Sequence, residues 1–224
     1  MQKMCFILTL GLLLFGCMQR TSYVSFGPYT FDFPDNYFLE YRQGVDSRVG
    51  VIKNENVEVH FDYGHYTNKL PIPREEYISK RHWMIDLEYL LRKPGVIYDD
   101  NNAPEVNVLE TKDSIRSLID SLLVDFGVFL AICEFEGKIS ELRIEIPEES
   151  VINEFQIDTI NGHYRKIVMA KDPEVGVTGI YLTKLGDNKS VMGNMALGMS
   201  TTGITFEEQN ELVKTFKNVR VNDK

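Results

Sequence analysis

The chain has 224 residues, with 33 acidic against 24 basic side chains and a formal charge of −9. So acidic a body excludes the broad docking onto nucleic acid or anionic lipid that clustered Lys and Arg provide. Its three cysteines are too few for a disulfide scaffold, and a chain of this length can bury one sizeable core without staples.

Residues 1–16 hold a single charge, Lys3, followed by a run of about a dozen apolar residues. That is signal-peptide length and too short to span a bilayer comfortably. The run ends in Leu14, Phe15, Gly16 and Cys17. This resembles the lipobox of bacterial lipoproteins, with an aliphatic residue three positions before the Cys and a small one just before it. The resemblance implies cleavage after Gly16 and diacylation of Cys17, with a further palmitate-type chain on its new amino group. At about 0.8 kcal/mol per buried methylene, such an anchor is effectively permanent. The competing reading is an ordinary secretory signal or uncleaved anchor that contains a chance Cys. Removal of residues 1–16, with Lys3 as their only charge, leaves 208 residues at a formal charge of −10. Cys5 leaves with the leader and Cys17 is acylated, so Cys133 has no partner for a disulfide. It sits in an apolar run and reads as a small core residue. The expected organisation is a signal peptide over 1–16, a lipidated tether over 17–22 and a single domain over 23–224.

Tyr29, Phe31 and Phe33 make a short strand that ends in the turn cluster Pro34, Asp35, Asn36, and Tyr37, Leu39 and Tyr41 alternate as the next. Residues 44–66 read as two strands joined by a turn at Asn54, Glu55 and Asn56. In the second strand Val57, Val59, Phe61 and Tyr63 fall on one face and Glu58, His60 and Asp62 on the other. Pro71, Ile72 and Pro73 break the β pattern. A helix is expected over 74–92, with Glu75 and Glu76 in its first turn, Arg92 and Lys93 at its end, and Trp83 at the edge of its apolar stripe. Residues 99–105 read as an acidic surface loop that lacks the Gly and terminal Glu of an EF-hand. Ile115, Leu118, Ile119, Leu122 and Leu123 have the spacing of an amphipathic helix. Strands then follow over 126–135, 139–146, 156–160, 163–170, 176–185 and 190–199. Asn161-Gly162 between two of them is a strong hairpin signal. Thr205 and Glu208 form a capping box that opens a last helix, and a short strand around Val219 and Val221 closes the chain.

This order gives an α+β domain in which helices cover an antiparallel β-sheet. The segments Gly44, Val45, Asp46, Ser47 and Phe61, Asp62, Tyr63, Gly64, His65, Tyr66, with Thr178, Gly179, Ile180, Tyr181 and the closing Glu207 to Val219 stretch, resemble a family of uncharacterised bacterial lipoproteins. The order of elements is also similar to the α/β/α sandwich shared by the photosystem subunit PsbP and the Ran-binding Mog protein. That likeness implies a non-catalytic binding scaffold, by fold analogy alone.

No G-x-S-x-G elbow, Walker or dinucleotide glycine pattern, or H-E-x-x-H zinc motif occurs. The strand face carrying Glu58, His60 and Asp62, with His65 beyond, has the spacing of a metal site. Against it stands a solvated strand face paired in charge with Arg48 or Lys53. Asp46 and Ser47 with His60 or His65 could be set out as a hydrolase triad, but adjacent Asp and Ser cannot easily place a His between them. A turn capped by Asp46 is the simpler reading. The expected function is that of a lipid-anchored cell-envelope module on a bacterial membrane, facing the periplasm or cell surface. It binds an envelope protein, uses no cofactor or metal, and binds no nucleic acid. Its surface is assigned to Asp46, Ser47, Asp62, Tyr63, His65 and Tyr66, since loops on rigid strands commonly carry function. The alternative is a hydrolase or metal-dependent enzyme working from Glu58, His60, Asp62 and His65.

Overall fold

Alternation of apolar and polar side chains recurs in several segments, and the computed structural model turns these into strands. The structure describes residues 19–20, 23–42, 44–67, 70–84, 106–112, 128–135, 137–186 and 194–222. In chain order these form β1 (Gln19–Arg20), β2 (Tyr23–Phe26), β3 (Tyr29–Asp32), β4 (Phe38–Arg42), β5 (Arg48–Lys53), β6 (Glu58–Gly64) and α1 (Arg74–Ser79). Then come β7 (Val106–Lys112), β8 (Val128–Phe135), β9 (Lys138–Glu145), β10 (Asn153–Ile160), β11 (His163–Ala170), β12 (Thr178–Lys184), β13 (Ala196–Thr201), α2 (Phe206–Lys217) and β14 (Arg220–Val221).

These residues gather into two compact units, one made of residues up to Leu70 and from Asn153 onward, the other of residues 71–152. In the first, eight strands form one antiparallel sheet in the order β1-β4-β5-β6-β13-β12-β11-β10, and β14-β3-β2 form a second. The register puts Leu39, Ile52, Val59, Phe61, Leu197, Met199, Ile180, Leu182 and Ile167 on one face of the large sheet. These pack with Val24, Phe26, Tyr29, Phe31 and Val221 of the small sheet and with Leu212 and Phe216 of α2 in one core. At about 1.5–3 kcal/mol for each fully buried large apolar side chain, this face dominates the stability of the unit. Arg165 clamps it to the helix: Nε and Nη2 donate to the two oxygens of Asp158, both at 2.7 Å, and Nη1 donates to the Lys217 carbonyl at 2.8 Å. The Arg165 guanidinium holds the Asp158 carboxyl below the usual carboxylate range.

On the opposite face of the large sheet the chain leaves β6 and crosses the neighbouring strands. Thr67 Oγ1 donates to the Ala196 carbonyl of β13 at 3.0 Å. Leu70 then lies on Gly179 of β12, with its Cδ1 3.0 Å from where a Cβ would stand. The carbonyl of Leu70 accepts from the buried Lys166 Nζ of β11 at 2.9 Å. A Cβ at 179 would collide first with the Met199 carbonyl of β13 and would press on Leu70 as well, so Gly is required here.

The second unit is a three-stranded antiparallel sheet, β7-β8-β9, with α1 and a 3-10 turn (Glu148–Ser150). Its own core holds Tyr77, Trp83, Val106, Val108, Phe129, Ala131, Cys133 and Ile146. Burial pushes the Cys133 thiol pKa up, as suits a core cysteine.

The expected α+β class, an antiparallel sheet covered by helices in an α/β/α sandwich, is overturned. The chain is mostly β, with three antiparallel sheets and two α-helices among the described residues. The physical reason lies in what buries the large sheet: the second sheet covers much of its apolar face, and α2 fills only the remainder. The helix expected over 74–92 stops after Ser79. Lys80 caps it, and Arg81 takes a positive φ of 56° that an α-helix cannot continue. Trp83 packs edge-on to Phe129 and is core. The rest of that helix, the loop at 99–105 and the helix expected over 115–123 lie outside the described residues, as do residues 1–18.

Candidate functional site

The ends of the β5–β6 hairpin were expected to converge on one surface, and the period of a strand already divides them. Tyr63 follows Val59 and Phe61 onto the core face, where it is 8% exposed and meets Tyr29 edge-on at 6.4 Å. Asp62 points to the opposite face, half-buried. Burial pushes the Tyr63 hydroxyl pKa up, as expected of a packed tyrosine.

The remaining residues belong to two adjacent turns. Ser47 packs directly on Gly64, where any added Cβ would strike it, so the turn at 44–47 is pressed against the end of β6. Thr67 also locks that end: its hydroxyl accepts from the Gly64 amide, and its one proton is shared between the Ala196 and Gly64 carbonyls. On this double turn Asp46 is exposed, Tyr66 is 67% exposed and Val45 is fully exposed. Tyr41, also exposed, stands edge-on to Phe61 at 5.8 Å. Val45 and Tyr41 were not singled out from sequence. The available signal was an aliphatic residue inside a Gly-Val-Asp-Ser turn, where nothing apolar is needed for folding. His65 is half-buried, and its Nδ1, like Asp62 Oδ1, is a buried atom without a hydrogen-bond partner.

Glu58, His60 and Asp62 share the outward face of β6, as their spacing requires. That face carries an ion network. Arg42 Nη2 donates to Glu58 Oε1 at 3.1 Å, and His60 Nε2 lies 3.4 Å from the same oxygen. Lys53 Nζ donates to Glu40 Oε2 at 2.6 Å and holds the Glu40 carboxyl below the usual carboxylate range. The expected partners of Glu58 therefore change. Lys53 turns to Glu40, and Arg48 stands opposite Tyr63 on the other side of the sheet. Among the described residues no three of His, Cys, Asp or Glu are grouped to hold a metal ion. The Ser47 hydroxyl bonds neither His60 nor His65, so the nucleophile–base contact of a hydrolase is not formed there.

His163 and Lys166, both buried, were also passed over by sequence reasoning. His163 Nδ1 is hydrogen-bonded to the Tyr29 hydroxyl at 2.9 Å, and Lys166 is held by Leu70 and lies 5.8 Å from the Tyr181 ring centre. Both tie distant parts of the first unit together. Compared with known proteins, the chain matches no family model and no curated protein. Among the described residues no helix is long and apolar enough to cross a membrane.

Proposed function

We propose that this protein is a bacterial envelope lipoprotein, held in the membrane by acyl chains on Cys17, whose β-rich body acts as a non-catalytic binding module for an envelope protein. The lipobox-like ending of residues 14–17 supports the anchor. The observation that carries the binding role is the rigid double turn, which presents Val45, Asp46 and Tyr66 to solvent on a base fixed by Ser47, Gly64 and Thr67. An aromatic ring with a polar tip, beside an aliphatic side chain and a carboxylate, suits protein recognition, and a fixed base reduces the ordering cost of binding.

Two measurements test the two halves of this reading. Cys17→Ala should move the protein out of the membrane pellet and abolish fatty-acid labelling; a pellet fraction unchanged from the parent overturns the anchor. Asp46→Ala and Tyr66→Ala should each lower recovery of a co-purifying envelope protein from native membranes, with melting temperature held within about 2 °C, since surface substitutions cost little. A loss of several degrees in both variants makes these residues structural and overturns the surface.

A further inference from the structure

Away from the double turn, the first unit holds a cleft of about 500 Å³. One wall is the helix stripe of Glu211 and Lys214, and the other is formed by Tyr23, Asp32, Asp35 and Arg220. The volume falls in the range of about 300–1,000 Å³ usual for small-molecule sites. Glu211 lies at the end marked by the turn at residues 34–37, where Tyr37 N–H donates to the Pro34 carbonyl and the Tyr37 hydroxyl feels the Glu211 charge. Asp35 belongs to that same turn. Arg220 lies beyond the carboxyl end of α2, with its guanidinium over the Tyr23 ring at 5.0 Å. Lys214 stands between. Asp32 faces Tyr23 across the β2–β3 ladder and so stands on the side of the stacked guanidinium. Among the described residues Asp32, Glu211, Lys214 and Arg220 make no ion pair, although all four border one concavity.

A cleft with the Glu211 carboxylate toward one end and a stacked guanidinium at the other fits a ligand that carries both charges. The helix from Glu211 to Asn218 rises about 10 Å at 1.5 Å per residue. An extended peptide covers about 10 Å in three residues. We propose that this cleft binds the zwitterion of a short peptide, two or three residues long with both termini free. Its ammonium lies toward Glu211, its carboxylate toward Arg220 and Lys214. Asp32, beside the stacked guanidinium, offers an acceptor for the peptide N–H next to that carboxylate. The guanidinium fork suits a terminal carboxylate, and stacking on Tyr23 fixes it in the plane that bidentate bonding needs.

The test is calorimetric titration of the full chain in detergent with trialanine, its N-acetylated form, its C-terminal amide, and free alanine. Saturable binding of trialanine is expected, weakened at least about tenfold by blocking either terminus, a loss of about 1.4 kcal/mol. Free alanine, too short to reach both ends, should bind at least about tenfold more weakly as well. Arg220→Gln should erase the difference between trialanine and its amide while leaving the effect of acetylation; Glu211→Gln should do the reverse. Both side chains are exposed, so both variants should keep the parent melting temperature. No saturable binding up to about 10 mM trialanine overturns the proposal. So does equal binding of blocked peptides or of free alanine, or a discrimination that survives both substitutions.

Discussion

Tyr37 is fully buried, and its hydroxyl pKa is pushed up to about 12, first by burial and then by the charges of Glu211 and Glu208. The folded state thus holds the phenolic proton more tightly than the unfolded chain, whose tyrosines titrate near about 10. The stability this contributes is fully present below about pH 10 and is lost as pH rises through about 12. Urea midpoints measured from about pH 8 to pH 11.5 should fall at the alkaline end, and Tyr37→Phe should flatten that fall relative to the parent. An identical alkaline fall in the variant would assign it to other groups. At this scale the sequence was legible where alternation speaks: it placed Val57, Val59, Phe61 and Tyr63 together on one face, and Glu58, His60 and Asp62 on the other. The same alternation puts Tyr63 on the core face, against its assignment to the surface; that assignment rested on the amphipathic ring of tyrosine, which suits both places. The sequence could not show that His163 answers Tyr29 or that Lys166 answers Leu70, since those partners meet only after the sheets close.

The last helix was the most legible element, because its start is written in local chemistry. The Glu208 amide donates to Thr205 Oγ1 at 3.3 Å, and Glu208 Oε2 accepts from the Thr205 amide at 2.8 Å. Thr205→Ala should therefore cost about 1 kcal/mol in denaturant unfolding, and Thr205→Ser close to nothing. Equal losses in the two variants would point to the Thr205 methyl group instead of the cap. The hairpin of β10 and β11 was equally clear, since Asn161 and Gly162 both take the positive φ that its two-residue turn demands. Three strands escaped notice; β1 has only two residues and lies inside the expected tether, and the other two escaped for equally identifiable reasons. β2 has only four residues and follows directly on the expected tether. β7 carries a bulge between Val108 and Glu110, which shifts the period by one residue just where alternation would be counted. The helix expected over 74–92 is interrupted after Ser79, and the break at Arg81 is a conformational choice that no side-chain pattern announces.

For the whole molecule, the class was misjudged because a sheet's apolar face does not reveal what will cover it. A helix and a second sheet satisfy it equally well, and here a three-stranded sheet built from both ends of the described chain does most of the work. The break at Pro71, Ile72 and Pro73 was visible, and it marks the point where the first unit gives way to the second. The two cores share no residue. Within the first unit, Leu70 lies on Gly179, which pairs with Val168 and, through it, Phe155, two residues past Asn153. From strand spacing and rise, the gap between Leu70 and Asn153 is about 12 Å. A flexible linker of about eight Gly and Ser residues spans that distance. Replacing residues 71–152 with such a linker should leave a unit that melts in one cooperative transition. Broad, non-cooperative melting of this variant would show that the first unit depends on residues 71–152.

The middle of the large sheet joins β6 to β13, and the small sheet joins β3 to β14, so Val221 is the partner of Tyr29. Closing such long loops costs entropy before any contact repays it, and proteins dominated by distant pairings fold slowly. During synthesis β6 has an open edge until β13 emerges, and the small sheet lacks a strand until β14 emerges. A nascent chain of this kind has no finished core to resist being kept extended. That is the condition a protein must meet to be threaded unfolded through a membrane, as the proposed anchoring requires. Under that proposal, the period of greatest aggregation risk falls in transit, while the strand edges are still unpaired.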